Sequence, residues 1–272
     1  SLEMAAFIAM SFIRRKNMLS SHDYGIKNKS DIINYLNEKR FKDLNDKWKR
    51  HIKRMFPFII DKDLILCSHY EDQNGKPDMV ISVRHTNIYV SIKTGRNCSM
   101  HQEPFETFKA FLAKKGVSER TLRILELFQF GKTSKLSNNG EAFTPKELEE
   151  KFKDYFIEAS KDLDKLGIID AVVFRSILKG CVLKRYKVNY LYYGNLETGY
   201  ILSEEDIYSL VLQYRNHDKT AIHFGGLNFH PARRNKNRIT YADCRIKWPI
   251  LALLYYRTEE EIADIVSGKM RV

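Results

Sequence analysis

Apolar residues recur at helical spacing over the first quarter of the chain. The positions share one side of a helix and are Ile32, Ile33, Leu36, Phe41, Leu44 and Trp48. With Ser30 as an N-cap, this spacing predicts one long basic helix that runs to about Phe56 and stops before Pro57. A shorter apolar stretch, Met4 to Ile13, predicts an amphipathic or docking helix before it.

The pattern changes to short strands after Pro57. Leu64 to Tyr70 is the first strand candidate, and a turn at Asn74-Gly75 follows it. Two further apolar strands come next, the first opened by Asp78 and the second closed by Lys93. The tight connection His85-Thr86-Asn87 joins these two strands, so the sequence predicts a β-hairpin.

The middle of the chain is predicted to be mostly helical. Its elements are Glu103 to Lys115 (helix), Ser118 to Phe130 (helix), Gly131 to Gly140 (loop) and Thr144 to about Lys179 (helical, with breaks near Gly167). Ser118 and Thr144 are suitable N-caps, and Pro145 suits the first helical position. We interpret residues 117–180 as a helical subdomain inserted between strands.

The last third alternates between strands and helices. Its elements are Val188 to Tyr193 and Tyr200 to Leu202 (strands), Ser203 to about Tyr214 (helix), Ala221 to Phe224 and Ile239 to Ile246 (strands), and Pro249 to Val266 (helix). The whole pattern predicts an α/β fold with a mixed central sheet flanked by helices. We divide it into N-terminal helices (1–57), a core with the hairpin (58–116), the helical insertion (117–180) and the remaining strands and helices (181–272), in one compact domain.

The composition indicates a polyanionic partner and a reducing environment. The 272 residues are 43% hydrophobic, enough to bury a core, and the net charge of +12 attracts polyanions, of which nucleic acid is the commonest. The cysteines are scattered, with no CxxC pair and no histidine at zinc spacing. They are Cys67, Cys98, Cys181 and Cys244. The spacing predicts free thiols, with neither a disulfide framework nor a zinc site.

No apolar run approaches the roughly 20 residues that span a bilayer. The stretch Met4 to Ile13 is followed by Arg14-Arg15-Lys16, whereas a signal peptide carries its positive charge first. We therefore expect a cytoplasmic protein without a membrane partner.

The predicted hairpin brings a carboxylate and an ammonium to one sheet edge. Period-2 alternation places Ser91 and Lys93 on one face of the second strand. Val90 and Ile92 take the other face. Magnesium prefers oxygen ligands, which the Asp78 carboxylate and the Ile92 backbone carbonyl could supply, while Lys93 could orient a water or neutralise charge. The arrangement suits a metal ion, a water and a phosphodiester.

At these residues the sequence resembles a known family. Pro77-Asp78, twelve intervening residues and Ser91-Ile92-Lys93 resemble the core motif of the PD-(D/E)xK nuclease superfamily, which includes many restriction endonucleases. The stretch from Ser91 to Glu103 is also similar to a bacterial group of restriction-endonuclease-like proteins. The resemblance covers about residues 60–115 and implies a restriction-endonuclease-like fold and hydrolysis of DNA that depends on Mg²⁺ or Mn²⁺.

The chain departs from this family at Ser91, where an acidic residue is usual. A subset of the family shares the serine and takes its second carboxylate from the following helix. Glu103 and Glu106, ten and thirteen residues after Lys93, are candidates that would share one side of a helix. The resemblance thus implies Asp78 as the principal metal ligand, Glu103 or Glu106 as the second, and catalytic roles for Lys93 and Ser91.

Two further features could belong to the site. Glu38 on the long N-terminal helix could be an outer metal ligand, or it could lie on a solvated helix face. A basic loop near the C-terminus could contact phosphates, or it could be solvated. Its candidate nucleic-acid-binding residues are His230, Arg233, Arg234, Lys236 and Arg238.

The sequence therefore predicts a Mg²⁺-dependent endonuclease that acts on DNA. A homodimer is plausible because cutting both strands of a duplex needs two sites. One alternative is a catalytically degenerate nuclease-fold protein that binds nucleic acid, which the serine at position 91 favours. Another is a basic scaffold that binds a protein partner through the loop around Arg233.

Overall fold

The structure, a computed structural model, describes residues 21–72, 75–95, 98–181, 186–213, 222–231 and 243–250. The helix predicted at Met4 to Ile13 lies outside these residues. The helix predicted at Pro249 to Val266 also lies outside them, except for its first two positions.

Seven α-helices and ten strands are formed by the described residues. The helices are α1 (Ser21–Leu36), α2 (Asp46–Met55), α3 (Phe105–Lys114), α4 (Glu119–Phe130), α5 (Pro145–Leu163), α6 (Leu166–Val173) and α7 (Glu204–Gln213), with a 3₁₀ turn (Phe41–Asp43) and a π-helical segment (Phe174–Lys179). The strands are β1 (Lys39–Arg40), β2 (Leu64–His69), β3 (Met79–Val83), β4 (Thr86–Lys93), β5 (Cys98–Pro104), β6 (Tyr190–Gly194), β7 (Gly199–Ser203), β8 (His223–Phe224), β9 (Leu227–His230) and β10 (Asp243–Trp248).

Two helices, not one, precede the first long strand. Glu38 has a left-handed φ of 59°, and β1 then pairs with β2. Asn45 starts α2, because its side chain accepts a hydrogen bond from the N–H of Trp48 at 2.9 Å. The predicted single helix was therefore wrong, since strand pairing and a second cap interrupt it. Its predicted end before Pro57 is confirmed.

The first sheet has six strands in the order β1-β2-β3-β4-β6-β7. All neighbouring pairs are antiparallel except β4 and β6, which are parallel, so the sheet is mixed. The predicted hairpin is confirmed as β3 and β4, joined by a two-residue turn at Arg84-His85. Its second strand lies centrally in the sheet, between β3 and β6.

The second sheet has four antiparallel strands in the order β5-β10-β9-β8. Residues 98–104 form β5, and helix α3 begins only at Phe105. The prediction that a helix begins at Glu103 was wrong. Proline at 104 disfavours helical backbone at Glu103, and the strand pairs with β10 from the far end of the chain.

The two sheets belong to two apolar cores. One core packs α1 and α2 on one face of the first sheet, through Trp48, Val90, Ile92 and Tyr192 among others. The other core joins the second sheet to α3 through α7. It also reaches the opposite face of β6 at Leu191, so β6 is covered on both faces.

Local capping signals placed most of the middle helices correctly. Ser118 accepts from the N–H of Thr121, and Thr144 forms a capping box with Glu147. The predicted mixed α/β fold with flanking helices is confirmed. The separate status of residues 117–180 as an inserted subdomain stays a prediction. Among the described residues, no helix is long and apolar enough to span a membrane.

Candidate active site

Asp78 lies directly before β3 and is held by backbone hydrogen bonds on both sides. Its N–H donates to the carbonyl of Val90 on β4 at 2.8 Å. Its carbonyl accepts from the N–H of Tyr70, just after β2, at 3.1 Å. The backbone of this residue is therefore fixed between the two strands that flank β3.

The Asp78 carboxylate has three hydrogen-bond donors. Oδ2 accepts from the N–H of Ile92 at 2.6 Å and from Ser91 Oγ at 3.0 Å. Oδ1 accepts from Lys29 Nζ on α1 at 2.5 Å. Burial opposes ionisation, but the positive charges of Lys93 and Lys29 outweigh it and hold the pKa of Asp78 below its ordinary value. The carboxylate is thus ionised at neutral pH.

The carbonyl of Ile92 faces the same edge as this carboxylate. In a strand, the N–H and C=O of one residue point toward the same neighbouring strand. The Ile92 N–H reaches Asp78 Oδ2, so the Ile92 carbonyl points the same way, beyond the last β3–β4 pair, Met79 with Val90. A charged and a neutral oxygen donor therefore share one edge of β4.

Ser91 and Lys93 share the face of β4 that was predicted. Their partners on the parallel strand β6 are Leu191 and Tyr193, which belong to the second core. Ser91 is buried, and Lys93 is half-buried at the strand end. Of the charges that lower the pKa of Asp78, that of Lys93 has the largest effect. The hairpin therefore brings the carboxylate and this ammonium together.

Lys76 was missed by sequence reasoning although it stands two residues before Asp78. Its Nζ donates to the carbonyls of Met100 and Ser176, each at 2.7 Å, and lies 3.0 Å from His101 Nδ1. Burial, helped by the Lys93 charge, lowers the pKa of Lys76 to about 7. This amine ties the start of the hairpin to β5 and to the π-helical segment.

Glu103 lies near Lys76, and the charge of its carboxylate is balanced by other side chains. Arg175 of the π-helical segment donates to both carboxylate oxygens, at 2.7 and 2.5 Å, and His101 Nε2 lies 2.8 Å from Oε1. Burial opposes ionisation, but the hydrogen bonds from Arg175 and His101 lower the pKa of Glu103 to about 2. The structure thus gives this carboxylate protein partners of its own, on a strand and not on the predicted helix.

The other predicted residues lie apart from this cluster or outside the described residues. Glu106 is exposed in the first turn of α3, on a different element from Glu103. Glu38 is exposed in the turn after α1, and it is Lys29 of α1 that contacts Asp78. His230 ends β9, with Nδ1 3.0 Å from the carbonyl of Pro231. The remaining candidates of the basic loop lie outside the described residues and are Arg233, Arg234, Lys236 and Arg238.

Comparison with known proteins gives a structural likeness and no sequence match. No family model matches the chain, and no curated protein matches it. Among solved structures, the chain is similar to the restriction endonuclease MspI in a crystal structure with its cognate DNA. The TM-score is 0.51 at 14% sequence identity, and the match covers 84% of this chain and 93% of that chain. The protein therefore has a restriction-endonuclease-like fold.

Proposed function

We propose that the protein is a Mg²⁺-dependent endonuclease that hydrolyses phosphodiester bonds of DNA. The observation that carries this proposal is the ionised Asp78 carboxylate beside Lys93 at the end of the β3–β4 hairpin. The restriction-endonuclease-like fold supports the proposal. The β3–β4 hairpin is also the part of the chain whose residues resemble the PD-(D/E)xK motif.

The donor atoms at the hairpin fit magnesium. Mg²⁺ commonly binds one or two carboxylates and takes its remaining ligands from water and substrate phosphate. Asp78 and the Ile92 carbonyl would hold the ion here. Lys29 Nζ now contacts Asp78 Oδ1, so an ion bound to this oxygen would have to displace the ammonium. When bound, Mg²⁺ would neutralise charge on the phosphate and lower the pKa of a bound water.

The chain's own groups would orient the metal-binding carboxylate and neutralise charge on the phosphate. Ser91 Oγ and the Ile92 N–H both donate to Asp78 Oδ2, so they hold the carboxylate with Oδ1 directed away from β4. Lys93 would neutralise charge that develops on the phosphate or orient the attacking water. We assign Glu103 to its pair with Arg175, and its predicted role as second metal ligand stays a prediction, as does that of Glu106.

DNA is the proposed partner, because a chain with a net charge of +12 is attracted to a polyanion. Lys29 and Lys93 supply positive charge at the hairpin, and the basic residues around Arg233 stay candidates for phosphate contacts. A homodimer would place two such sites on the two strands of a duplex.

A Mg²⁺ titration of plasmid cleavage tests this proposal. We expect supercoiled plasmid to be nicked or linearised only when Mg²⁺ or Mn²⁺ is present, and the activity to disappear when EDTA is added. Absence of cleavage by folded protein at every metal concentration, on a range of DNA sequences, would overturn the proposal.

A nucleic-acid-binding protein that does not cleave is the second candidate. It is favoured by two of the carboxylates predicted as metal ligands, because each pairs with a cationic side chain, Asp78 with Lys29 and Glu103 with Arg175. This rival predicts salt-dependent DNA binding that does not require Mg²⁺, without cleavage. Salt-insensitive affinity for DNA would instead favour a scaffold that binds a protein partner.

A further inference from the structure

Three different ligand types meet beside the hairpin. His101 and Glu103 lie two residues apart on β5, and Cys181 follows the π-helical segment. One nitrogen, one sulfur and one oxygen of these residues lie within 4.8 Å of one another. The sequence was searched for zinc ligands at short spacing, whereas Cys181 is far from His101 and Glu103 in the chain.

The two distances from the Cys181 sulfur match edges of a tetrahedron around zinc. Zn²⁺ binds sulfur at about 2.3 Å and nitrogen or oxygen at about 2.0–2.1 Å, so tetrahedral geometry separates sulfur from either by roughly 3.5 Å. Cys181 Sγ lies 3.5 Å from His101 Nε2 and 3.6 Å from Glu103 Oε2. Both separations therefore leave room for one ion between the three donors.

The surrounding groups could orient the ligands. Arg175 donates one hydrogen bond to each oxygen of Glu103. The other contacts of these oxygens are with the His101 ring and the Cys181 thiol, and a bound ion would replace them. Hydrogen-bonded carboxylates and histidines are usual around bound metals. The Lys76 amine lies at the other ring nitrogen of His101, 3.0 Å from Nδ1. If that amine accepts from Nδ1–H, Nε2 is left free for an ion.

The donor set selects the cation. Thiolate and imidazole favour zinc, whereas magnesium prefers six oxygen ligands. The positive charges of Arg175 and of the ion require anionic ligands in compensation, which the carboxylate and a thiolate supply. Because burial and the Glu103 charge raise the pKa of the Cys181 thiol in the ion-free protein, binding of the ion would release the thiol proton.

We propose that His101, Glu103 and Cys181 form a Zn²⁺ site with a fourth position open to water. The ion would link β5 to the end of the π-helical segment. This site is separate from the magnesium site proposed at Asp78, and neither depends on the other.

Cobalt substitution tests the proposal on the full chain. Protein freed of metal with EDTA and dialysed into excess Mg²⁺ would be titrated with Co²⁺, whose bond to a thiolate gives a charge-transfer absorption band. We expect one Co²⁺ per chain, with a band that Zn²⁺ displaces. The band should be lost in Cys181→Ser, and the Zn²⁺ affinity of His101→Gln should fall more than about tenfold.

Cys67→Ala is the matched control, because this cysteine is buried in the other core. It should keep the band, and circular dichroism should show that all variants fold. A wild-type protein without the band, a band that survives in Cys181→Ser, or its loss in folded Cys67→Ala would overturn the zinc site. None of these results would bear on DNA cleavage by the Asp78 site.

Discussion

At the scale of single residues, Ser91 orients the Asp78 carboxylate from the position where the resembled family usually has an acid. Its hydroxyl donates to Asp78 Oδ2 at 3.0 Å, which a carboxylate at this position could not do when ionised. Asp78 is consequently oriented by its neighbours on β4, and its other oxygen contacts Lys29. At the proposed metal site, the ammonium of Lys29 would therefore compete with the ion for the same oxygen.

Removal of this competitor should ease metal binding. In Lys29→Ala we expect half-maximal cleavage at a lower Mg²⁺ concentration than in the wild type, because the metal no longer has to displace an ammonium. The exposed Lys27 on the same helix provides the control, and Lys27→Ala should leave the metal requirement unchanged. A higher Mg²⁺ requirement in Lys29→Ala would show that the lysine assists the metal.

The pair of Arg175 with Glu103 should matter for stability. Their side chains are 16% and 5% exposed, so Arg175→Met leaves a buried carboxylate without its main partner. We expect the free energy of unfolding in urea to fall by about 3–5 kcal/mol. The exposed pair Arg120–Glu158 is the control, and Arg120→Met should destabilise the protein far less, because water and salt screen this pair. Equal losses in the two variants would contradict the buried-pair interpretation.

The candidate site was predictable only where its residues are close in the sequence. Asp78, Ser91 and Lys93 belong to one hairpin, whose strand alternation fixes their relative placement. Lys76, His101 and Arg175 meet through tertiary packing of three separate segments. No periodicity in the chain signals such a contact, which is why these residues were missed.

At the scale of elements, local sequence signals predicted helix starts correctly, whereas strands that depend on non-local pairing were not predicted. Helices α4 and α5 begin where capping residues Ser118 and Thr144 predict. Strand β1 was included in a predicted helix, and β5 was not predicted, its last two residues being assigned to a helix. Each of these strands is defined by a partner elsewhere in the chain, β2 and β10 respectively. The proline after Glu103 was the available sign that α3 could not start earlier.

The capping box of α5 offers a test at this scale. Thr144 accepts from the N–H of Glu147 at 3.3 Å, and the Glu147 side chain accepts from the N–H of Thr144 at 2.8 Å. Thr144→Ala should lower the free energy of unfolding by about 1 kcal/mol, measured by urea denaturation. Ser134→Ala in the exposed loop before it should be neutral within about 0.5 kcal/mol. An unchanged stability of Thr144→Ala would show that the cap contributes nothing.

At the scale of the whole molecule, the first sheet separates two apolar cores. Polar groups are buried in both, and His51 in the N-terminal core lies against Trp48 and Tyr192. Burial, helped by the charge of Lys47, lowers the pKa of His51 to about 4. The folded protein therefore keeps this imidazole neutral at a pH where the unfolded chain protonates it.

This difference makes stability depend on pH. Between about pH 6.5 and 4 the unfolded state binds a proton at His51 that the folded state does not, so the free energy of unfolding decreases as the pH falls. The loss should be on the order of 3 kcal/mol by pH 4. Urea unfolding of the wild type and of His51→Leu measures it, and the variant should lose less stability over this range. Parallel pH profiles would exclude His51 as the cause.

The most direct test of the Asp78–Lys93 site measures cleavage and DNA binding in the same variants. We expect Asp78→Asn to abolish Mg²⁺-dependent plasmid cleavage and Lys93→Ala to slow it by about 10²–10³-fold, with DNA affinity nearly unchanged. Asp61 and Lys62, two consecutive exposed residues before β2, are matched controls, and their alanine variants should cleave normally. Wild-type cleavage rates in folded Asp78→Asn and Lys93→Ala would contradict the proposed site.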